Sequence, residues 1–113
     1  MINKTERGKE GEARAEKFLT DKGYTVIARN YRHKRSEIDL IVQKENWLVF
    51  VEVKLRTSKA FGFPEESVNA AKRKKILEGA AQYLHEKNWT GNVRYDIVAI
   101  RNNEIEHFED AFY

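Results

Sequence analysis

Two apolar segments of the chain carry acidic and basic side chains near their ends. Glu37 and Asp39 lie in the first segment, and Glu52 and Lys54 lie in the second. Side chains alternate between the two faces of a strand, so Glu52 and Lys54 should share a core-facing row with Phe50. Burying a carboxylate and an ammonium there is costly unless the groups pair with each other or bind a metal ion. The pattern therefore points to metal-ion chemistry.

A hairpin would bring the acids of the two segments together. If residues 44–47 form a four-residue loop, Gln43 opposes Leu48 and Asp39 opposes Glu52. Directly opposed residues share a face, with Cβ atoms roughly 4.5–5.5 Å apart. A slip by one residue would move Asp39 to the other face, and the periodicity of the two strands does not choose between these registers.

Facing carboxylates repel each other, raise each other's pKa and are stabilised by a cation. Because the chain has no cysteine and its histidines show no ligand spacing, the carboxylate oxygens favour Mg²⁺ or Mn²⁺ over zinc. Glu12 is the predicted third acid. It lies at helical spacing from Gly8, Ala15 and Leu19, within a small and apolar stripe of the first helix.

The order of predicted elements is α-β-β-β-α-β-β, an α/β fold with a mixed central sheet and a helix on each face. The strand at Trp47–Leu55 is apolar on both faces and is placed centrally. Residues 57–64 are predicted to form a loop, and the second helix to begin at Glu65 or Glu66. The predicted elements are a helix at Thr5–Lys22, strands at Tyr24–Tyr31, Glu37–Val42 and Trp47–Leu55, a helix ending near Lys87, and strands at Val93–Ile100 and Glu104–Phe108.

Length and composition limit the class of protein. A chain of 113 residues with 35% charged residues is expected to form one globular domain, 1–113. No apolar run reaches the roughly 18–20 residues of a membrane span, and the first residues lack the apolar core of a secretory signal. The absence of cysteine excludes disulfides, and we expect a cytoplasmic location. The net charge of +3 permits a polyanionic partner.

Structural explanations remain open for each of these residues. Asp39 and Lys54 would also suit an ion pair at a strand end, and Glu12 would suit the rim of the helix. The basic run 72–75 is either a solvated helix face or, if that end of the helix adjoins the acids, a phosphate contact. Asp96 is predicted to be a structural charge, and the three histidines, His33, His85 and His107, are predicted to be ordinary surface or rim residues.

The ordered motifs resemble those of the YraN-like family of small bacterial proteins, across nearly the whole chain. That family is similar to the archaeal Holliday-junction resolvases and belongs with the restriction-endonuclease-like PD-(D/E)xK nucleases. The resemblance implies the fold of that superfamily. The motifs are Gly8-Lys9-Glu10-Gly11-Glu12-Ala13, Arg29-Asn30-Tyr31-Arg32, Ser36-Glu37-Ile38-Asp39-Leu40-Ile41, Phe50-Val51-Glu52-Val53-Lys54-Leu55-Arg56, Phe61-Gly62-Phe63-Pro64 and Arg94-Tyr95-Asp96.

The resemblance also implies roles for particular residues. Asp39 and Glu52 would ligate the metal, Lys54 would orient or deprotonate the attacking water, and Glu12 would match the extra acid of the resolvase branch. The chain has Ser36 where the family usually has glycine, and a serine there can still make a tight bend or bind a phosphate. It also has Ile38 where the superfamily signature has proline.

The leading hypothesis is metal-dependent hydrolysis of phosphodiester bonds in DNA. Nothing in the sequence resembles a base-reading element, so selectivity for DNA shape, such as a branch, is favoured over sequence specificity. A homodimer is implied by the resemblance, because resolving a junction needs paired cuts. The alternatives are a nucleic-acid-binding module without catalysis, acting in repair or recombination, and a protein–protein scaffold on the same fold. The predicted phosphate contacts are Arg29, Arg32, Ser36, Arg56 and Lys72.

Overall fold

The computed structural model describes residues 4–56 and 70–111 of the chain. These residues form two helices and five strands in the predicted order. Neither of the two helices described is long and apolar enough to cross a membrane. The elements are α1 (Lys4–Asp21), β1 (Thr25–His33), β2 (Ser36–Lys44), β3 (Trp47–Arg56), α2 (Ala70–Lys87), β4 (Asn92–Arg101) and β5 (Glu104–Phe108).

The strands form a mixed sheet in the order β1-β2-β3-β4-β5. Strand β3 runs parallel to β4, and all the other neighbours are antiparallel. The predicted central position of this apolar strand is therefore confirmed. A parallel pair needs a crossover connection, and α2 lies within the connection between β3 and β4.

One helix packs on each face of the sheet, as predicted, so the α/β class and the mixed sheet with helices on both faces are confirmed. The arrangement is compatible with a restriction-endonuclease-like fold. On one face, α1 packs through Ala15 and Leu19 against Leu40, Val42, Val49, Val51, Val98 and Ile100. On the other, α2 packs through Ile76, Ala80 and Tyr83 against Ile38, Ile41, Leu48 and Phe50.

The β2–β3 hairpin has the predicted register, with Gln43 opposite Leu48. Its turn is shorter than predicted, because Lys44 pairs with Trp47 and leaves only residues 45–46 between the strands. The backbone of Glu45 accommodates this tight turn with a φ of 55°. The other end of the hairpin is open, since the paired residues end at Leu40 and Val51.

Strand β1 changes the face that it presents at one residue. The guanidinium of Arg29 donates to Glu16 of α1, with 2.9 Å between Nε and Oε2. Two residues later, the ring of Tyr31 packs edge-on against Tyr83 of α2, with the ring centroids 5.2 Å apart. The residue between them, Asn30, has a φ of 48°, a left-handed conformation that asparagine tolerates better than most residues.

The side chains of strand β2 also switch faces of the sheet, at the position opposite Asn30. Leu40, the partner of Arg29, belongs to the core on the α1 face, whereas Ile38, the partner of Tyr31, belongs to the core on the α2 face. Asp39 lies between them. In a regular strand residues 38 and 40 would share a face, so the simple alternation assumed from the sequence does not hold at Asp39.

The predicted boundaries of the elements agree with the structure to within about two residues wherever they can be compared. The predicted loop at 57–64 and the predicted start of the second helix at Glu65 or Glu66 lie outside the described residues. Strand β5 has the predicted bounds, Glu104–Phe108.

Candidate functional site

The open end of the β2–β3 hairpin is where the sequence-predicted acids lie. Asp39 Oδ2 accepts a hydrogen bond from the backbone N–H of Val53, with 2.8 Å between the two atoms. Burial raises the pKa of Asp39, and the neighbouring charge of Glu52 raises it further, to about 7. A carboxyl with this pKa is about half ionised at neutral pH, so it would gain from a cation nearby.

Glu52 lies on the α2 face of β3, in the same row as Phe50, and is 7% exposed. Two lysines approach its Oε1 atom. Lys72 Nζ, from α2, donates to it at 2.7 Å, and Lys54 Nζ lies 3.5 Å away. The predicted core-facing placement of Glu52 is therefore confirmed, and its charge is compensated by ammonium groups from two elements.

The two lysines differ in how readily they hold a proton. Burial lowers the pKa of Lys54, and the adjacent Lys72 lowers it further, although Glu52 opposes both effects. Burial also works against the charge of Lys72, but its bonds to Glu52 and Lys54 outweigh burial and raise its pKa. Lys54 is therefore the more acidic of the pair and the better candidate to exchange a proton. We call Asp39, Glu52, Lys54 and Lys72 the acid–lysine cluster.

Glu12 approaches this cluster from the α1 side of the sheet. Its Oε1 accepts a hydrogen bond from Asn30 Nδ2 at 3.0 Å, and its charge contributes to raising the pKa of Asp39. Gly11 precedes it at a close approach, since a Cβ atom there would lie 2.5 Å from the Leu55 side chain. The glycine therefore lets α1 pack against the end of β3 and brings Glu12 within electrostatic range of Asp39.

The chemistry of the donor set fits a hard divalent cation. Asp39 and Glu52 supply two carboxylates, and Mg²⁺ commonly binds through one or two carboxylates while keeping several waters. Across residues 4–56 and 70–111, no group of three or more acidic, histidine or cysteine side chains is arranged to hold a metal ion. Glu12 as a direct ligand therefore stays a prediction.

The five predicted phosphate contacts differ in exposure and in the side chains that they meet. Arg29 is bound to Glu16, and Arg32 is exposed with its guanidinium 3.2 Å from Glu37. Ser36 is buried at 6% exposure, and α2 packs so closely over it that a Cβ at Gly79 would lie 2.3 Å from its Oγ. Ser36 is thus covered by α2, where the sequence analysis placed a phosphate contact.

Of the other two predicted contacts, the side chain of Arg56 lies outside the part of the chain that the structure describes. Lys72 meets the condition set by the sequence, because the first described turn of α2 adjoins the acids. Its bond to Glu52 was not predicted. No periodicity could have shown this bond, since it joins residues from two elements.

A second buried charge cluster lies on the α1 face, around Asp96. Asp96 is fully buried and binds Arg94 Nε at 2.8 Å and His107 Nε2 at 2.6 Å. It also accepts the backbone N–H of Asp110 at 3.0 Å. Although burial alone would raise the pKa of Asp96, the bonds from His107, Arg94 and Asp110 lower it below its ordinary value. The prediction that Asp96 is a structural charge is consistent with this arrangement.

The prediction that all three histidines are ordinary surface or rim residues is wrong for His107, whose side chain is only 3% exposed. Its Nδ1 lies 2.7 Å from Lys22 Nζ, in addition to the bond from Nε2 to Asp96. The signal in the sequence was weak, because His107 stands in a strand of only five residues, between the exposed Glu106 and the partly buried Phe108. We call Arg94, Asp96 and His107 the aspartate–histidine cluster.

Comparisons with known proteins identify the family. The profile described as "Uncharacterised protein family UPF0102", also known as the YraN family, matches residues 11–100. A UPF0102 protein of Sulfurihydrogenibium sp. is 44% identical over 98% of this chain and 97% of its own length. A UPF0102 protein of Flavobacterium psychrophilum is 40% identical over 100% of this chain and 98% of its own length. The chain therefore belongs to the UPF0102, or YraN, family, as its motifs indicated.

Proposed function

We propose that this protein is a metal-dependent DNA endonuclease whose active site is the acid–lysine cluster. The observation that carries the proposal is the meeting of two carboxylates, the partly buried Asp39 and the buried Glu52, beside the half-buried ammonium of Lys54. Perturbed pKa values at adjacent buried groups are typical of catalytic sites. The fold, compatible with restriction-endonuclease-like proteins, supports the same activity by analogy.

In this proposal Asp39 and Glu52 hold Mg²⁺ or Mn²⁺. When bound, such an ion lowers the pKa of a coordinated water and offsets the charge that develops on the phosphate. The hydrogen bond from the Val53 N–H to Oδ2 holds the Asp39 carboxylate in place, and the carboxylate keeps further lone pairs with which to bind a cation. Glu52 would move from its contact with Lys72 toward the cation.

Lys54 would take part in proton movement at the attacking water. Its lowered pKa makes a neutral amine more accessible than in an exposed lysine, and a neutral amine can accept a proton. Lys72 keeps its charge and lies at the more exposed side of the cluster, with 40% of its side chain accessible. It would contact a DNA phosphate, which positions the backbone without reading its sequence.

The direct test is cleavage of branched and linear DNA in Mg²⁺ or Mn²⁺ by the wild type, Asp39→Asn and Lys54→Met. The asparagine keeps an oxygen for the Val53 N–H but loses the charge that would hold the metal. We expect each variant to lose at least roughly 100-fold in rate, since removing a ligand or a proton-transfer group costs this much or more.

Asp21→Asn provides the matched control, because Asp21 is an exposed acid that pairs only with Lys17 at the end of α1. It should cleave as the wild type does. Equal rates for wild type, Asp39→Asn and Lys54→Met would remove the acid–lysine cluster as the active site.

Selectivity for branched DNA and a homodimer complete the proposal. No described element has the form of a base-reading helix or ribbon, and paired cuts across a junction need two active sites. Faster cleavage of a four-way junction than of its linear arms, together with a dimer on gel filtration, would support both. Equal cleavage of the two substrates would leave a nuclease without branch selectivity.

A second function is supported by the ion pair between Lys72 and Glu52. This bond already neutralises one acid of the cluster, as would suit a nucleic-acid-binding module that does not cut. Such a module would bind DNA with an affinity that falls steeply with salt and show no metal-dependent cleavage. The same cleavage assay, combined with a binding titration between 50 and 200 mM salt, separates the two functions.

A further inference from the structure

We infer that Asn30 is a positioning residue that ties Glu12 to the candidate metal centre. The inference rests on the proposed function, and it concerns a residue whose side-chain hydrogen bonds, among the described residues, go to Glu12 and Glu37 and not to Asp39 or Glu52. Asn30 joins the elements that surround the centre, since it lies in β1 and bonds to side chains of α1 and β2.

The first support is the pair of side-chain contacts. Asn30 Nδ2 donates to Glu12 Oε1 at 3.0 Å and approaches Glu37 Oε1 at 3.5 Å. An amide offers two donors on one nitrogen, so a single side chain can hold two carboxylates that would otherwise repel. Glu12 is a long side chain on α1, and this contact restricts where its charge can lie.

The second support is the backbone at Asn30. Asn30 has a left-handed φ of 48°. At this residue the side chains of β1 switch from one face of the sheet to the other, since Arg29 contacts α1 and Tyr31 contacts α2. Asp39 occupies the opposite position in β2, between Leu40 and Ile38. The same irregularity that turns Asn30 toward Glu12 therefore places Asp39 at the open end of the hairpin.

The third support is the position of α1. Gly11 lets this helix approach the end of β3, since a Cβ atom there would lie 2.5 Å from the Leu55 side chain, and Glu12 is the next residue of the helix. Without the Asn30 amide, Glu12 would be free to swing to solvent, as a long side chain on a helix does. Residues that orient a metal-binding carboxylate from outside commonly contribute roughly 10–100-fold to metal affinity.

The test uses Mn²⁺ itself and measures its affinity by the electron paramagnetic resonance signal of the free ion, apart from any cleavage. Asn30→Gly removes the amide and keeps a backbone that accepts positive φ. Glu12→Gln removes the charge that the amide is inferred to hold. We expect each to weaken Mn²⁺ binding roughly tenfold.

The double variant decides how the two residues act. If Asn30 acts through Glu12, the double variant Asn30→Gly with Glu12→Gln binds Mn²⁺ no more weakly than Glu12→Gln alone. If the two single substitutions weaken Mn²⁺ affinity by factors that multiply in the double variant, the inference is overturned. An unchanged Mn²⁺ affinity in Asn30→Gly would also overturn it.

Asn102→Gly is the matched control, because Asn102 has nearly the same φ, 53°, but lies in the β4–β5 turn. It should change thermal stability as Asn30→Gly does and leave Mn²⁺ affinity unchanged. An equal loss of affinity in both glycine variants would assign the effect to the backbone and overturn the inference.

Asp39→Asn separates this inference from the proposed function. Loss of Mn²⁺ binding in Asp39→Asn, with full binding in Asn30→Gly, would overturn the positioning role and keep the metal centre. Undiminished binding in Asp39→Asn would overturn both. If Asn30→Gly fails to fold, the Glu12→Gln variant alone decides. Full Mn²⁺ affinity in that variant would overturn the inference, because the charge that Asn30 is inferred to position would have no effect on the metal.

Discussion

Two aspartates lie in the same sheet, Asp96 fully buried and Asp39 partly buried, and their surroundings shift their pKa values in opposite directions. Asp96 is satisfied on both oxygens by Arg94, His107 and a backbone N–H, and its pKa is lowered. Asp39 has one backbone donor and a like charge beside it, and its pKa is raised to about 7. Burial alone therefore does not decide the charge of a carboxyl, because the number of donors that meet it does.

The opposite pKa shifts indicate that the charge of Asp96 stabilises the fold, whereas the charge of Asp39 destabilises it. The aspartate–histidine cluster contains its own counter-charges and needs no ligand. Around Asp39, the ammonium groups bind Glu52, and the charge of Lys72 is the smallest of the influences on the pKa of Asp39. A partly buried acid whose pKa is raised in this way is typical of a site that binds a cation or substrate.

The largest expected effect is on stability, from Asp96→Asn. Removing one partner from a buried ion pair deprives Arg94 of its main carboxylate partner and commonly costs about 3 kcal/mol or more. We expect urea unfolding at pH 7 to show this loss, whereas Asp39→Asn should leave the free energy of unfolding unchanged or raise it. Equal losses in the two variants would show that the two aspartates have the same role.

The pH dependence of stability should distinguish the same two residues. The pKa of Asp39 is raised in the folded state, so the folded protein holds the extra proton between about pH 4 and 7. Its contribution to the free energy of unfolding therefore falls as pH rises through that range, by no more than about 1.4 kcal/mol per pH unit.

Asp96 behaves in the opposite sense, since its lowered pKa stabilises the fold above the ordinary value of 3.8. This contribution is lost only as pH falls through the folded-state pKa, below 3.8. Urea unfolding from pH 4 to 8 should therefore show a decline in the wild type that is absent from Asp39→Asn. A parallel decline in both proteins would assign the titration to another group.

A divalent cation should stabilise the protein through Asp39. At Mn²⁺ tenfold above its dissociation constant, binding to the folded state adds about 1.4 kcal/mol. We expect the melting temperature of the wild type at pH 7.5 to rise with Mn²⁺ and that of Asp39→Asn to stay constant. NaCl at the same ionic strength is the control. A rise of equal size in Asp39→Asn would place the ion elsewhere.

The smallest effect is expected from Lys72→Met. Because 40% of the Lys72 side chain is exposed, its bond to Glu52 should contribute less than about 1 kcal/mol to stability. If Lys72 competes with the cation for Glu52, Mn²⁺ affinity should rise several-fold while stability changes little. Thermal melting and Mn²⁺ titration of this variant check both points, with Lys74→Met, on the exposed face of the same helix, as control. A weaker Mn²⁺ affinity would contradict the competition.

Much of the fold could be predicted because its signals are local. The alternation of apolar residues identified the strands, and the apolar run on both faces placed β3 at the centre. The register of the β2–β3 hairpin agrees with the one assumed from a short polar turn, although the periodicity of the two strands did not choose it. The sequence could not predict that side chains switch faces of the sheet at Asn30 and Asp39. The switch in β1 occurs where Asn30 has a positive φ, which asparagine permits but does not require.

The candidate site shows the same division. The residue types and their order along the chain were enough to select Asp39, Glu52 and Lys54 and to indicate the family. The partners of these side chains were decided by packing: α2 brings Lys72 onto Glu52, β1 brings Asn30 onto Glu12, and β5 brings His107 onto Asp96. Periodicity reports which face a side chain occupies, whereas a charge responds to everything within several ångströms, and those neighbours come from distant parts of the chain.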